Sequence, residues 1–252
     1  MPSVLLDLDG PVARITLNRP DVLNAGDPVW VAELNEVVAR VGADRDLRVA
    51  VMTGAGRAFS TGLDLDALAA GELTLQHLVA WEDAMTAMEE MPLPFIAAIN
   101  GHCLGGGLQL ALVCDYRLAS ADALIGLPAV KECLIPSMSL YRLPRLIGAA
   151  RARELILTGE PISAARAEAC GLVSEVVPVP EFARAVDECV KRFLALPVTS
   201  VAVSKRLLAR AFDLSFAAFR QEMEAGLRLC FDSAEHRAAM DEIRRRRRGR
   251  AR

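Results

Sequence analysis

Aromatic side chains are scarce in this chain: 8 Phe, 2 Tyr and 2 Trp make up 5% of its 252 residues. Aliphatic groups must fill most of the core. At 53% hydrophobic content they suffice for one large α/β unit and for a subunit interface. The 3 histidines, at positions 77, 102 and 236, are too far apart to form a metal-ligand pattern. The 6 cysteines (103, 114, 133, 170, 189 and 230) include no C-x-x-C pair. Such dispersed thiols read as reduced and mostly buried, as in a cytoplasmic protein. No window approaches the uninterrupted apolar length of a membrane span, and the start Met1-Pro2-Ser3-Val4 shows no basic region followed by an apolar run. Neither a membrane nor a secretory leader is expected. The net charge of −3 argues against bulk nucleic-acid affinity. One charge cluster stands out, Arg244 to Arg248 with Arg250 and Arg252. It reads either as a solvated helix end or as a contact for a phosphate or an acidic partner surface.

Residues 4–8 and 12–18 alternate in polarity and are joined through Asp9-Gly10, a hairpin signal. Residues 28–40 read as a helix with Asp27 as N-cap, 48–53 as a short buried strand, and 75–91 as a helix stopped by Pro92-Leu93-Pro94. Residues 95–99 and 116–125 read as strands. From Pro136 onward the chain turns helical, over 149–157, 163–169, 181–196, 199–211, 215–231 and 233–248, interrupted by a strand at 172–177. Strands first and helices later predict an α/β core, residues 1–196, followed by a helical C-terminal region, residues 197–252, that carries the Arg-rich tail.

Two segments carry chemistry. The first is Gly54-Ala55-Gly56-Arg57-Ala58-Phe59-Ser60-Thr61-Gly62-Leu63-Asp64-Leu65. A dinucleotide fingerprint would place a third glycine at Phe59 and a helix directly after it, and neither is present. The second is Asn100-Gly101-His102-Cys103-Leu104-Gly105-Gly106-Gly107, which follows an apolar strand and opens an apolar helix. N–H groups at a helix start carry partial positive charge and can hold a developing anion, and glycines let a ligand approach them. The alternative is that these glycines only permit close helix–strand packing.

Together the two segments resemble the paired signatures of the crotonase family, also called the enoyl-CoA hydratase/isomerase family. Arg19-Pro20-Asp21, Asn24-Ala25, the run from Arg142 to Gly148, Leu157-Thr158-Gly159 and the run from Ala169 to Val173 resemble its other landmarks, so the likeness covers nearly the whole chain. The resemblance implies a spiral of ββα units, two sheets packed nearly at right angles, and a helical C-terminal trimerisation region. It also implies homotrimers or hexamers. The implied substrate is an acyl-CoA thioester, held while an oxyanion hole stabilises its enolate. Coenzyme A then enters as part of the substrate, and no separate cofactor or metal is called for. By position the donors are the backbone N–H groups of Leu63 and Gly106. Ala58, Phe59, Ser60, Gly62 and Gly105 fall in the substrate-binding segments, with the 58–60 backbone holding the adenine end of CoA. Asp64 caps or braces the helix that follows.

The same resemblance exposes departures. Hydratases of the family use two glutamates around one water. Gln109 stands at the first, and Ala129 at the second by alignment on Pro128 and Pro136. Hydration by the usual route is therefore not expected, because an amide and a methyl cannot act as base and acid. Glu132, one turn beyond Ala129, is either a single base facing the acyl group or an exposed charge beside Lys131. Ser137 aligns with a catalytic aspartate of some members and reads more simply as a helix cap after Pro136. His102 reads as a structural residue, and Cys103 and Cys133 lack a visible activating base. The implied function is acyl- or enoyl-CoA processing through a thioester enolate. The alternative is a non-catalytic acyl-CoA-binding protein that kept the pocket and lost the acids.

Overall fold

The computed structural model describes residues 1–250, with side chains to Arg247. Arg252 and the side chains of Arg248 and Arg250, part of the arginine cluster, lie outside the described residues. The strands are β1 (Val4–Asp9), β2 (Val12–Leu17), β3 (Val49–Gly54), β4 (Ala58–Ser60), β5 (Phe95–Ile99), β6 (His102–Leu104), β7 (Tyr116–Ser120), β8 (Leu124–Gly126), β9 (Ile162–Ser163) and β10 (Glu175–Val177). The α-helices of the core are α1 (Pro28–Ala43), α2 (Leu65–Ala69), α3 (Leu75–Glu90), α4 (Gly106–Val113), α5 (Ser139–Ile147), α6 (Ala149–Thr158), α7 (Ala164–Ala169) and α8 (Phe182–Leu194). Three more, α9 (Val198–Ala209), α10 (Phe216–Asp232) and α11 (Ala234–Arg250), close the chain.

The fold is mixed α/β with two sheets. The larger runs β1-β2-β3-β5-β7-β10 and is parallel except for the β1–β2 hairpin. The smaller runs β4-β6-β8-β9. Central strands buried on both faces need continuous apolar runs, and the FIAAI of β5 is buried at every residue. Helix α1 begins where expected: Asp27 accepts a hydrogen bond from Trp30 N–H at 2.8 Å, with Pro28 in the first turn. Trp30 packs at a tilt against Trp81 of α3 with centroids 4.5 Å apart, placing one of the few aromatic pairs at the α1–α3 contact.

Four expectations need correction. Residues 116–125 are not one strand. The chain turns at Ala123, whose N–H donates to Ser120 O at 3.0 Å, so β7 and β8 join different sheets. Ser137 does not cap a helix: it sits at φ +41°, and Met138 is the N-cap of α5. The strand expected at 172–177 is confined to β10, with Leu172 and Val173 packed into the core before it. The cysteines are not mostly buried: Cys103, Cys114 and Cys189 are, but Cys133 is exposed and Cys170 and Cys230 are intermediate. Arg244 and Arg246 of α11 pair within their own helix, with Asp241 and Glu242 at 2.8 Å each.

Candidate active site

Strands β4 and β6 lie side by side in parallel, so the segments leaving their C-terminal ends also run together. After β4 the chain passes through Thr61, Gly62, Leu63 and Asp64 into α2. After β6 it passes through Gly105 into α4. The two segments touch at Gly62, which holds φ +94°, and a Cβ there would lie 2.4 Å from Gly106 N. A Cβ on Gly107 would lie 2.1 Å from Ser60 O. Close helix–strand packing and unpaired backbone donors are thus served by one arrangement, because only glycine lets the second segment settle this deeply onto the first.

Leu63 forms an isolated parallel bridge with Gly26. Gly26 N–H donates to Gly62 O at 2.7 Å, and Asp64 N–H donates to Gly26 O at 3.0 Å. The intervening Leu63 N–H therefore points the other way. Gly106 is the first residue of α4, where an N–H has no partner within the helix. Among the described residues neither N–H has an acceptor. Both residues line one cleft of about 410 Å³. The cleft thus holds two unspent main-chain donors, one of them at the positive end of a helix.

Gln109 lies in the first turn of α4, its N–H bonded to Gly105 O at 3.1 Å, and lines the same cleft. Ala129 and Glu132 lie in a 3-10 helix, Pro128–Glu132, and both line it too. Residues three apart in a 3-10 helix eclipse each other, which brings the Glu132 carboxyl to the side that Ala129 faces. Asp64 also lines the cleft and caps α2, accepting from Asp66 N–H and Ala67 N–H at 3.2 Å each. Arg19 ties the region together. It donates to Ala25 O and pairs with Asp27 and Asp64 at 3.0 Å each. Burial acts to raise the Asp64 pKa, but the Ala67 N–H and the Arg19 guanidinium outweigh it and hold the carboxyl below its ordinary range. Asp64 is thus an ionised brace. Burial pushes the Cys103 thiol far up and that of Cys114 to about 12, which keeps both protonated at neutral pH.

Four expected substrate-binding residues stand behind the cleft wall. Ala58, Phe59 and Ser60 are fully buried in β4, and Gly62 is the contact point beneath Leu63. The Ala58 and Phe59 carbonyls are engaged by Asn24 Nδ2, at 2.8 and 3.2 Å. Ser60 Oγ donates to Asn24 O at 2.8 Å and accepts from Gly62 N–H at 3.1 Å. Ser137 is not on the wall either; Leu134 and Ile135 are. Sequence reasoning missed Asn24 as the anchor of β4. Its positive φ of 58° and full burial come from the turn after Pro20, and an asparagine between turn residues was the available signal. It also missed Asp66, whose facing depends on where α2 packs. Among the described residues no group of three or more His, Cys, Asp or Glu could hold a metal ion, and no helix is long and apolar enough to cross a membrane.

Residues 8–247 match the enoyl-CoA hydratase/isomerase family. The chain is 38% identical over 225 residues to (E)-benzylidenesuccinyl-CoA hydratase of Thauera aromatica, covering 84% of each protein. The crystal structure of an enoyl-CoA hydratase from Bacillus anthracis superposes with a TM-score of 0.91 at 30% identity, over 97% of this chain and 96% of that one. An enoyl-CoA hydratase from Mycobacterium smegmatis gives a TM-score of 0.92 at 27% identity, over 98% and 97%. A match of this extent, together with the glycine segments meeting at one cleft, means that the chain belongs to the enoyl-CoA hydratase/isomerase family.

Proposed function

We propose that this family enzyme holds an acyl-CoA thioester with its carbonyl oxygen between Leu63 N–H and Gly106 N–H, and moves a proton with Glu132 as the single base. The observation that carries the reading is the pair of unpartnered N–H groups facing one cleft that also contains Glu132. Donors already aimed at a developing oxyanion stabilise the enolate without reorganisation. In a 3-enoyl-CoA the Glu132 carboxylate would take a proton from the α-carbon, the charge would pass to the thioester oxygen, and the same proton would return to the γ-carbon. The double bond then lies between the α- and β-carbons. Gln109 would position water or substrate. The expected activity is isomerisation faster than hydration, since Gln109 and Ala129 supply no second acid. A panel of short and medium 2-enoyl- and 3-enoyl-CoAs tests this. Glu132→Gln is expected to lower isomerisation roughly 100- to 10,000-fold with little change in thioester affinity. Robust hydration that survives Glu132→Gln would refute the assignment of roles.

The absence of both usual carboxylates supports one rival reading, a non-catalytic acyl-CoA-binding protein. Thioester binding without turnover across the panel would select it. A cytoplasmic setting and homotrimers, alone or paired into hexamers, are also proposed. Leu208, Phe212, Phe216 and Phe231 on and between α9 and α10 are exposed by 61% or more, as expected of a face covered by another copy. Sedimentation equilibrium should give three or six times the chain mass; a monomer at micromolar concentration would rule the assembly out.

A further inference from the structure

We infer that this cleft accepts uncharged acyl groups and turns away those ending in a carboxylate, with Asp66 and Glu132 as the specificity-determining residues. The inference rests on the thioester reading above.

The charged side chains lining the cleft among the described residues are Asp64, Asp66 and Glu132, all acidic. Asp64 is offset by Arg19. Asp66 and Glu132 make no ion pair among the described residues, so their charges act on whatever enters. Neighbouring cations are turned elsewhere. Lys131, next to Glu132, reaches Glu160 at 2.7 Å on the far side of the 3-10 turn. Arg19 is held by Asp27 and Asp64. Arg57 is exposed before β4 and is not part of the wall. Leu65, Leu104, Leu134 and Ile135 supply apolar surface, and Gln109 contributes a single neutral amide.

A site that reads a carboxylate needs a guanidinium or ammonium, ideally a bidentate one, to replace the water the anion loses. Here an entering carboxylate would lose water, find no cation and meet two charges of its own sign. A neutral acyl group meets none of these penalties. At charge separations of several ångströms in a partly solvated cleft, the discrimination is expected to reach roughly tenfold in affinity.

Glutaryl-CoA and its terminal amide provide the test. They match in length and shape, differ by one charge, and contain no double bond to isomerise. Calorimetric titration of the intact protein should show the amide binding at least roughly tenfold tighter. Asp66→Asn should narrow that gap, and the double variant Asp66→Asn with Glu132→Gln should close it. Equal binding of the two ligands to the unaltered protein, or a gap that both substitutions leave intact, overturns the inference while the thioester reading stands. Tighter binding of the acid also overturns it and would point to a cation delivered by another copy. Binding of neither ligand removes both the inference and the reading beneath it.

Discussion

Replacing Gly62 by alanine is expected to lower turnover roughly 100- to 1,000-fold while thioester binding falls far less. Gly62 holds φ +94°, where a side chain is strained, and its added Cβ would lie 2.4 Å from Gly106 N and 3.1 Å from Leu104 O. Both contacts are to backbone, so no flexible side chain can swing away. The two segments must part, and the atom displaced is one of the two proposed donors. Loss of one oxyanion donor typically removes about 2.7–4 kcal/mol of transition-state stabilisation, which sets the expected range. The positive φ adds a stability cost of about 1–3 kcal/mol, seen as a lower urea midpoint. Gly71→Ala is the control: it has a similar positive φ of 76° and nothing within 4 Å of the added Cβ, so it should show the strain without the kinetic defect. If Gly62→Ala folds and turns over at the level of Gly71→Ala, the carbonyl does not sit at these donors.

The two segments that meet at Gly62 are far apart along the chain, yet both are legible in the amino-acid sequence. Each places glycines directly after an apolar or small-residue run, and a chain keeps such a costly pattern only where backbones must approach. Helix starts are legible for the same local reason. Asp27 and Asp64 carry the short acceptor that orphan N–H groups require, and both cap as expected.

What escapes a reading of the sequence depends on partners far along the chain. β4 and β6 have three residues each, too few for a period of two to register, and they exist as strands because β4 pairs with β6 and β6 with β8. The apolar alternation from Tyr116 to Ile125 continues through the turn that divides it, where Ser120 Oγ hydrogen-bonds Asp122. Ser137 resembles a cap because it follows Pro136, but its backbone holds φ +41° rather than the extended conformation of a cap, and Met138 takes the N-cap position of α5. The placement of Glu132 shows the same limit from the other side. Its spacing from Ala129 suggests a shared face, but only the 3-10 geometry puts both on the cleft.

This shared cleft makes the missing acids restorable. The double substitution Gln109→Glu with Ala129→Glu is expected to raise hydration of a 2-enoyl-CoA by about 100-fold or more over the unaltered protein, with each single change giving far less. Adding water needs a base for the water and an acid for the α-carbon in one transition state, and each such group contributes roughly 100- to 10,000-fold. One carboxylate alone cannot fill both roles, so the gain should be non-additive. Positions 109 and 129 both line the cleft that holds the Leu63 and Gly106 N–H groups, so both new carboxylates would start from its wall. The new carboxylates would join Asp66 and Glu132, and like charges this close raise the pKa of at least one of them. Hydration should then follow a bell-shaped pH profile, because one group must be ionised and the other protonated. The check is the rate of loss of enoyl-thioester absorbance as a function of pH, beside the thioester affinity of each variant. A folded double variant that binds thioester as before and hydrates no faster would mean that the double bond never lies between these two positions. The proposed preference for isomerisation over hydration could not then be assigned to Gln109 and Ala129.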